Sequence, residues 1–243
     1  MVSRRPPAGK EMMDDYSISG DVLFDALKAL PRLNRLLGAK GLLRREFSPI
    51  LRHHRNRELT VLDVGTGIGD LPIQLCSWAA AAECRMRIVA IDANPDTISF
   101  AERFWGDSGA LRSTPCVVEF RTADAFDLPY EDGSFDYVFS SQFLHHFEID
   151  DAARLVREMD RTSRGGVLVS DLHRNWVARV GIRAICEVLQ MPRMIVHDAP
   201  LSVSRGFVRS ELVEIAENGG LKDARIRWKI PFRWSVSTFE SLT

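Results

Sequence analysis

Three glycines at alternate positions, Gly65, Gly67 and Gly69, interrupt VLDVGTGIGD where a β-branched run gives way to a helical one. Glycine there takes positive φ readily and lets a ligand approach the backbone with no Cβ in the way. The spacing is GxGxG, not the GxGxxG of dinucleotide sites. Acids stand at the ends of successive β-branched runs: Asp63 before the glycines, Asp92 closing RIVAID, and Asp124 just after CVVEFRTA. A carboxylate at Asp92 can accept both hydroxyls of a ribose. Asp124 is positioned to accept from an adenine amino group, with the backbone N–H of Ala125 offered to the ring. Asp63 can meet an ammonium group. No GKS or GKT follows the glycines, and no arginine stands ready for a pyrophosphate. Adenosine at one end and a cationic, amino-acid-like group at the other fit S-adenosylmethionine better than NAD.

A second constellation lies in FSSQFLHHF, residues 139–147. If a strand ends near Ser140, His145 and His146 line the mouth of the same site. Neutral imidazole is available near neutral pH to take a proton from an attacking hydroxyl. Adjacent helical residues point about 100° apart, so one histidine is expected to reach the reacting group. The other caps the helix start or orients its neighbour. His173, two residues after Asp171, is a further base candidate. His197 is expected in a loop above the pocket, and His53 and His54 face solvent. No acidic residue lies near the histidine pair at ligand spacing, so no metal is expected. An amine acceptor needs no strong base, so the histidines favour oxygen or activated carbon.

The elements that must position these groups are read from periodicity. LTVLDVG, RIVAIDA, CVVEFRTAD, FDYVFSS and GGVLVSD read as strands, alternating with helical LPIQLCSWAAAA, PDTISFAERFW and DDAARLVREMDRT. That alternation predicts right-handed crossovers and an α/β fold, a Rossmann-like, doubly wound, mostly parallel sheet. ARIRWKI, with RWSVSTF beside it, adds an antiparallel C-terminal edge. Residues 1–19 read as a polar tail, and 21–54 as short helices divided at Pro31, Gly38/Gly41 and Pro49. The expected organisation is an N-terminal tail and helical cap over 1–57. A cofactor-binding domain then fills 58–243, with an insertion at about 174–207: a helix from 176 to 190, then a Pro-containing loop. A helix over 208–218 closes at Gly219-Gly220. Trp176, Met191, Met194, Phe207, Phe232 and Trp234 are candidates to line an acceptor pocket.

At these motifs the chain resembles the class I S-adenosylmethionine-dependent methyltransferases, over roughly Leu59 to Leu172. The resemblance implies that Asp63, Gly65, Thr66, Gly67, Gly69 and Asp70 surround the methionine moiety. It also implies Asp92 and Ala93 at the ribose, Asp124 and Ala125 at the adenine, and Ser140 and Gln142 beside the sulfonium. DLPYEDGSFD and LHHF are most similar to the branch acting on small molecules such as quinols and polyketide phenols. SSQF departs from the tetrapeptide of enzymes that methylate nucleobase amines.

Composition bounds the rest. Hydrophobic residues make up 45% and charged residues 27% of 243, enough for a large core. A net charge of −1 argues against bulk binding to nucleic acid. Four cysteines without CxxC spacing read as buried thiols. With no apolar leader and no membrane-length run, the expectation is a cytoplasmic monomer or homodimer acting on a small, largely apolar hydroxylated acceptor. Two other readings stay open: a protein or RNA methyltransferase, favoured by the arginines of the first helices, and a non-catalytic, cofactor-binding partner of another enzyme.

Overall fold

The computed structural model describes Arg5, residues 11–107 and residues 116–240. Five parallel strands form its centre: β1 (Glu58–Val64), β2 (Arg85–Asp92), β3 (Cys116–Thr122), β4 (Tyr137–Ser141) and β5 (Val167–Leu172). β6 (Arg225–Lys229) and β7 (Arg233–Ser237) complete the sheet in the order β3-β2-β1-β4-β5-β7-β6. β7 runs antiparallel to both β5 and β6. The strand runs read from sequence are these strands, because central strands covered on both faces need continuous apolar, β-branched stretches.

Helices cover both faces. α2 (Ala39–His53), α3 (Asp70–Ala81) and α4 (Pro95–Asp107) share one apolar cluster with the sheet, built around Phe47, Leu75 and Ile88. On the other face, α5 (Ile149–Thr162) and α8 (Arg209–Gly219) bury Leu155, Met159 and Ile215. A third cluster joins α1 (Asp21–Leu36), α6 (Trp176–Val188) and α7 (Arg193–Arg205). It roofs the carboxyl ends of the strands, where ligands of open α/β sheets bind.

Several expectations change. Pro31 and Pro49 lie inside α1 and α2, and the break falls at Gly38, whose φ of 77° opens α2. A proline removes one hydrogen-bond donor, and here the buried leucine faces on either side hold both helices together. The loop expected after α6 is instead α7. Pro192 sits at its N-cap, and Met194, Ile195 and Val203 turn inward. Part of the expected tail is also structured: Met12–Asp14 form a 3-10 turn packed against α7. Its first residues, Arg5 apart, lie outside the described residues. All four cysteines are buried thiols, none of them in a disulfide. No helix among the described residues is long and apolar enough to cross a membrane.

Candidate active site

A cavity of about 740 Å³ opens at the junction of β1 and β4, where the strand order reverses. Its floor is the turn between β1 and α3. Gly65 takes φ 74°, and a Cβ there would fall 2.4 Å from the ring of Phe143. The Gly65 and Thr66 N–H groups both donate to the Ile91 carbonyl, pinning the turn to β2. Gly67 is different. A Cβ there would project toward the cavity, its nearest neighbour being Leu30 Cδ1 at 3.9 Å. Its N–H donates to Asp92 Oδ2 at 3.0 Å, while Asn94 N–H donates to Oδ1. Each of these oxygens keeps a lone pair for a hydroxyl.

Asp63, next to last in β1, has 2% of its surface exposed and accepts a hydrogen bond from Thr66 Oγ1 at 2.6 Å. Burial pushes its carboxyl up to about 8, against the Thr66 hydrogen bond. A carboxylate so shielded wants a cation. Burial likewise raises Asp92, opposed by its backbone hydrogen bonds. Thr66, Asp70, Ala93, Asp124, Ala125 and Gln142 also line the cavity. Gly69 does not; a Cβ there would enter the Phe120 ring, so it serves the turn. Ser140 is buried and absent from the lining, where Ser141 appears instead.

An amide clip crosses the floor. Asn34 of α1 donates to Asp70 Oδ1 at 3.0 Å and accepts from Gln142 Nε2, while Lys40 Nζ stands 3.4 Å from Asp70 Oδ2. Gln142 itself holds a positive φ of 57° just past β4, fixed by its N–H donating to the Ser170 carbonyl.

His145 and His146 sit together on a 3-10 turn, Leu144–His146, ring centroids 4.5 Å apart. Both line the cavity. His145 Nδ1 lies 2.7 Å from Asp171 Oδ1, and Asp171 also accepts from the N–H groups of Leu172 and His145. Burial would raise Asp171, but the charge and hydrogen bond of His145 hold it below the ordinary carboxylate range. With Nδ1 engaged, His145 Nε2 faces inward with no hydrogen-bond partner. His146 turns to Asp14, Nδ1 to Oδ1 at 2.7 Å. Burial opposes its charge, yet the close contact with Asp14 and the charges of Glu11 and Asp14 raise it above its usual value.

His173 does not join them. It accepts from Trp228 Nε1 at 3.1 Å among Phe232 and Trp234, outside the cavity lining. His197 lies on α7, its ring against Asp198. None of Trp176, Met191, Met194, Phe207, Phe232 and Trp234 lines the cavity. Trp176 is 73% exposed, and the two methionines fill the core between α1, α6 and α7. The apolar wall is instead Leu27, Leu30, Leu33 and Leu37 of α1 with Ile182, Ile195 and Val203.

The N-terminal segment supplies the residues that sequence reading missed. Glu11, 4% exposed, brings its carboxylate 3.6 Å from His145 Nε2 and 3.9 Å from His146 Nε2. The acidic neighbour that local spacing did not offer thus arrives from the other end of the chain. Asp198 fixes the segment by accepting from the N–H groups of Met12 and Met13, and Arg205 lies near both Glu11 and Asp14. The acids of EMMDD were the only signal.

Residues 62–170 match the family model described as a methyltransferase domain. Among curated proteins, tocopherol O-methyltransferase of Arabidopsis thaliana is 36% identical over 47% of this chain and 31% of its own. Demethylmenaquinone methyltransferase of Deinococcus radiodurans is 31% identical over 55% and 51%. The chain thus spans about half or less of the curated relatives it matches. Human N-acetylserotonin methyltransferase, solved with S-adenosylmethionine, superposes with TM-score 0.63 at 15% identity, covering 97% of this chain and 60% of that one. A putative S-adenosylmethionine-dependent methyltransferase from Methanococcus maripaludis gives 0.60 at 16%, over 92% and 96%. These likenesses carry the fold.

Proposed function

We propose that the chain is an S-adenosylmethionine-dependent methyltransferase that methylates a hydroxyl of a small, largely apolar acceptor. The carrying observation is one cavity with a nucleoside-type floor at one end and a carboxylate-oriented histidine at the other. The match of residues 62–170 to a methyltransferase domain supports the reaction. The floor fits the cofactor. Gly67 leaves the space a Cβ would fill, Asp92 keeps lone pairs for the ribose hydroxyls, and buried Asp63 lacks a cation that the amino-acid ammonium supplies. Asp124 and Ala125, which line the same cavity, would hold the adenine. When bound, S-adenosylmethionine provides an electrophilic methyl on a sulfonium.

The chain's own tasks are alignment and proton removal. Asp171 holds the Nδ1 proton of His145 and so leaves Nε2 as the lone-pair nitrogen, beside Glu11 at the cavity wall. His145 Nε2 would take the proton that the attacking hydroxyl loses, while bound S-adenosylmethionine would supply the methyl and keep the S–C bonding pair as a neutral thioether. Glu11, 3.6 Å from Nε2, stabilises the resulting imidazolium. The leucines of α1 seat the apolar body of the acceptor and exclude water. The N-terminal segment and α1, serving as a cap, enclose a volume suited to a small molecule, which favours this reading over a protein or RNA acceptor.

The histidine assignment is tested with Asp171→Asn, which keeps the shape of the side chain. Turnover of a phenolic or quinol acceptor should fall about 10²–10⁴-fold, the usual contribution of a positioned base. Cofactor affinity and acceptor KM should change little. Unchanged turnover would remove His145 from the mechanism, and unchanged turnover of the assembled pathway with the double variant His145→Gln/His146→Gln would favour the non-catalytic, cofactor-binding role.

A further inference from the structure

Glu11, His145 and His146 form a cluster that base catalysis alone does not need. One ligand-type atom from each lies within 4.8 Å of the other two. The carboxylate-to-ring-nitrogen separations, 3.6 and 3.9 Å, are too long for hydrogen bonds. They exceed by only a few tenths of an ångström the spacing of ligands around one cation, about 3.0–3.5 Å for bonds of 2.0–2.2 Å.

Orientation points the same way. His145 turns Nδ1 to Asp171 in a hydrogen bond of 2.7 Å, His146 Nδ1 lies 2.7 Å from Asp14 as an ion-pair contact without hydrogen-bond alignment, and both Nε2 atoms lie toward Glu11. A carboxylate hydrogen-bonded behind a histidine, as Asp171 is behind His145, fixes tautomer and ring direction at metal centres. His145, 2% exposed, leaves its Nε2 buried without a hydrogen-bond partner. Ser202 Oγ donates to Glu11 Oε1 at 2.9 Å, steadying the third group.

We propose that Glu11, His145 and His146 bind one divalent transition-metal cation of the zinc, manganese or iron(II) class. Two histidines and one carboxylate leave coordination positions open to the cavity. The use of those positions rests on the methyl-transfer reading: the acceptor hydroxyl occupies one of them. It loses its proton to solvent at the metal. Metal and proton compete for the same His145 Nε2 lone pair, so His145 is the base of the metal-free protein and a ligand in the metal-bound one, where the ion activates the hydroxyl in its place.

The test is metal binding, read independently of turnover. Protein stripped with a chelator and desalted is titrated with Co²⁺ by visible absorption, and with Zn²⁺ against a chromophoric chelator. The expected result is one equivalent bound by the wild type, with affinity at least about tenfold weaker in Glu11→Gln and in His146→Gln. Asp171→Asn, behind the ligand, should weaken binding about 10–100-fold. S-Adenosylhomocysteine titration of each sample reports an intact fold, and its failure in the wild type would count against methyl transfer while leaving the metal result standing. No stoichiometric binding by the wild type, or binding indifferent to Glu11→Gln and His146→Gln, overturns the site.

Discussion

Asp63 carries a cost that only a ligand relieves. Its carboxyl is sealed at the end of β1 and raised to about 8 by burial. Between the ordinary aspartate value near 4 and about 8, the folded chain holds a proton that the unfolded chain has released. Stability from this group is therefore full below about 4 and is lost as pH rises through about 8. Asp63→Asn should raise the thermal midpoint of the ligand-free protein at pH 8, by about 2–4 °C for each kcal/mol regained, with the gain shrinking toward pH 4. The same variant should bind S-adenosylhomocysteine more weakly, having lost the partner of its ammonium. A variant that is not stabilised at pH 8 would contradict the assignment. Asp63, Asp92 and Asp124 were legible because each stands at or just past a strand end, where chain direction fixes the side chain's place. The pairing of His145 with Asp171 was not, since it joins residues from two strand ends that only the sheet brings together.

At the scale of elements, α1 is both roof and clamp. Its leucines line the cavity, while Asn34 ties it to the start of α3 through Asp70 and to the end of β4 through Gln142. Asn34→Leu keeps a side chain branched at Cγ but removes the hydrogen bonds to Asp70 Oδ1 and from Gln142 Nε2. The expected cost is about 1–3 kcal/mol, measured as a lower denaturant midpoint, because unsatisfied buried polar groups forfeit their solvation. A midpoint equal to wild type would mean that the clip holds nothing. Apolar periodicity disclosed α1, yet it hid α7, where Pro192 and Pro200 read as loop punctuation. Proline at a helix start costs no hydrogen bond, so a proline there is compatible with a helix as readily as with a loop. The acceptor wall was misread for a related reason. Large aromatics such as Phe207 and Trp234 drew attention, but they went into the core, and leucines were left to face the ligand.

The whole molecule places its site by topology. Strand order reverses between β1 and β4, and the glycine turn, Asp92 and the histidine turn all emerge at that edge of the sheet. The order of strands and helices in the sequence was enough to expect this, since crossovers have a fixed hand. What closes the cavity was not legible, because the segment carrying Glu11 and Asp14 has neither periodicity nor a strand to anchor it. Its docking on Asp198 and Arg205 exists only in three dimensions. The central claim is that the floor of this cavity binds S-adenosylmethionine through Asp92. Calorimetric titration of S-adenosylhomocysteine and NAD into the wild type and Asp92→Ala tests it most directly. Micromolar binding of S-adenosylhomocysteine alone, abolished in Asp92→Ala, is the predicted result. Absence of binding, or binding indifferent to Asp92, would contradict the account.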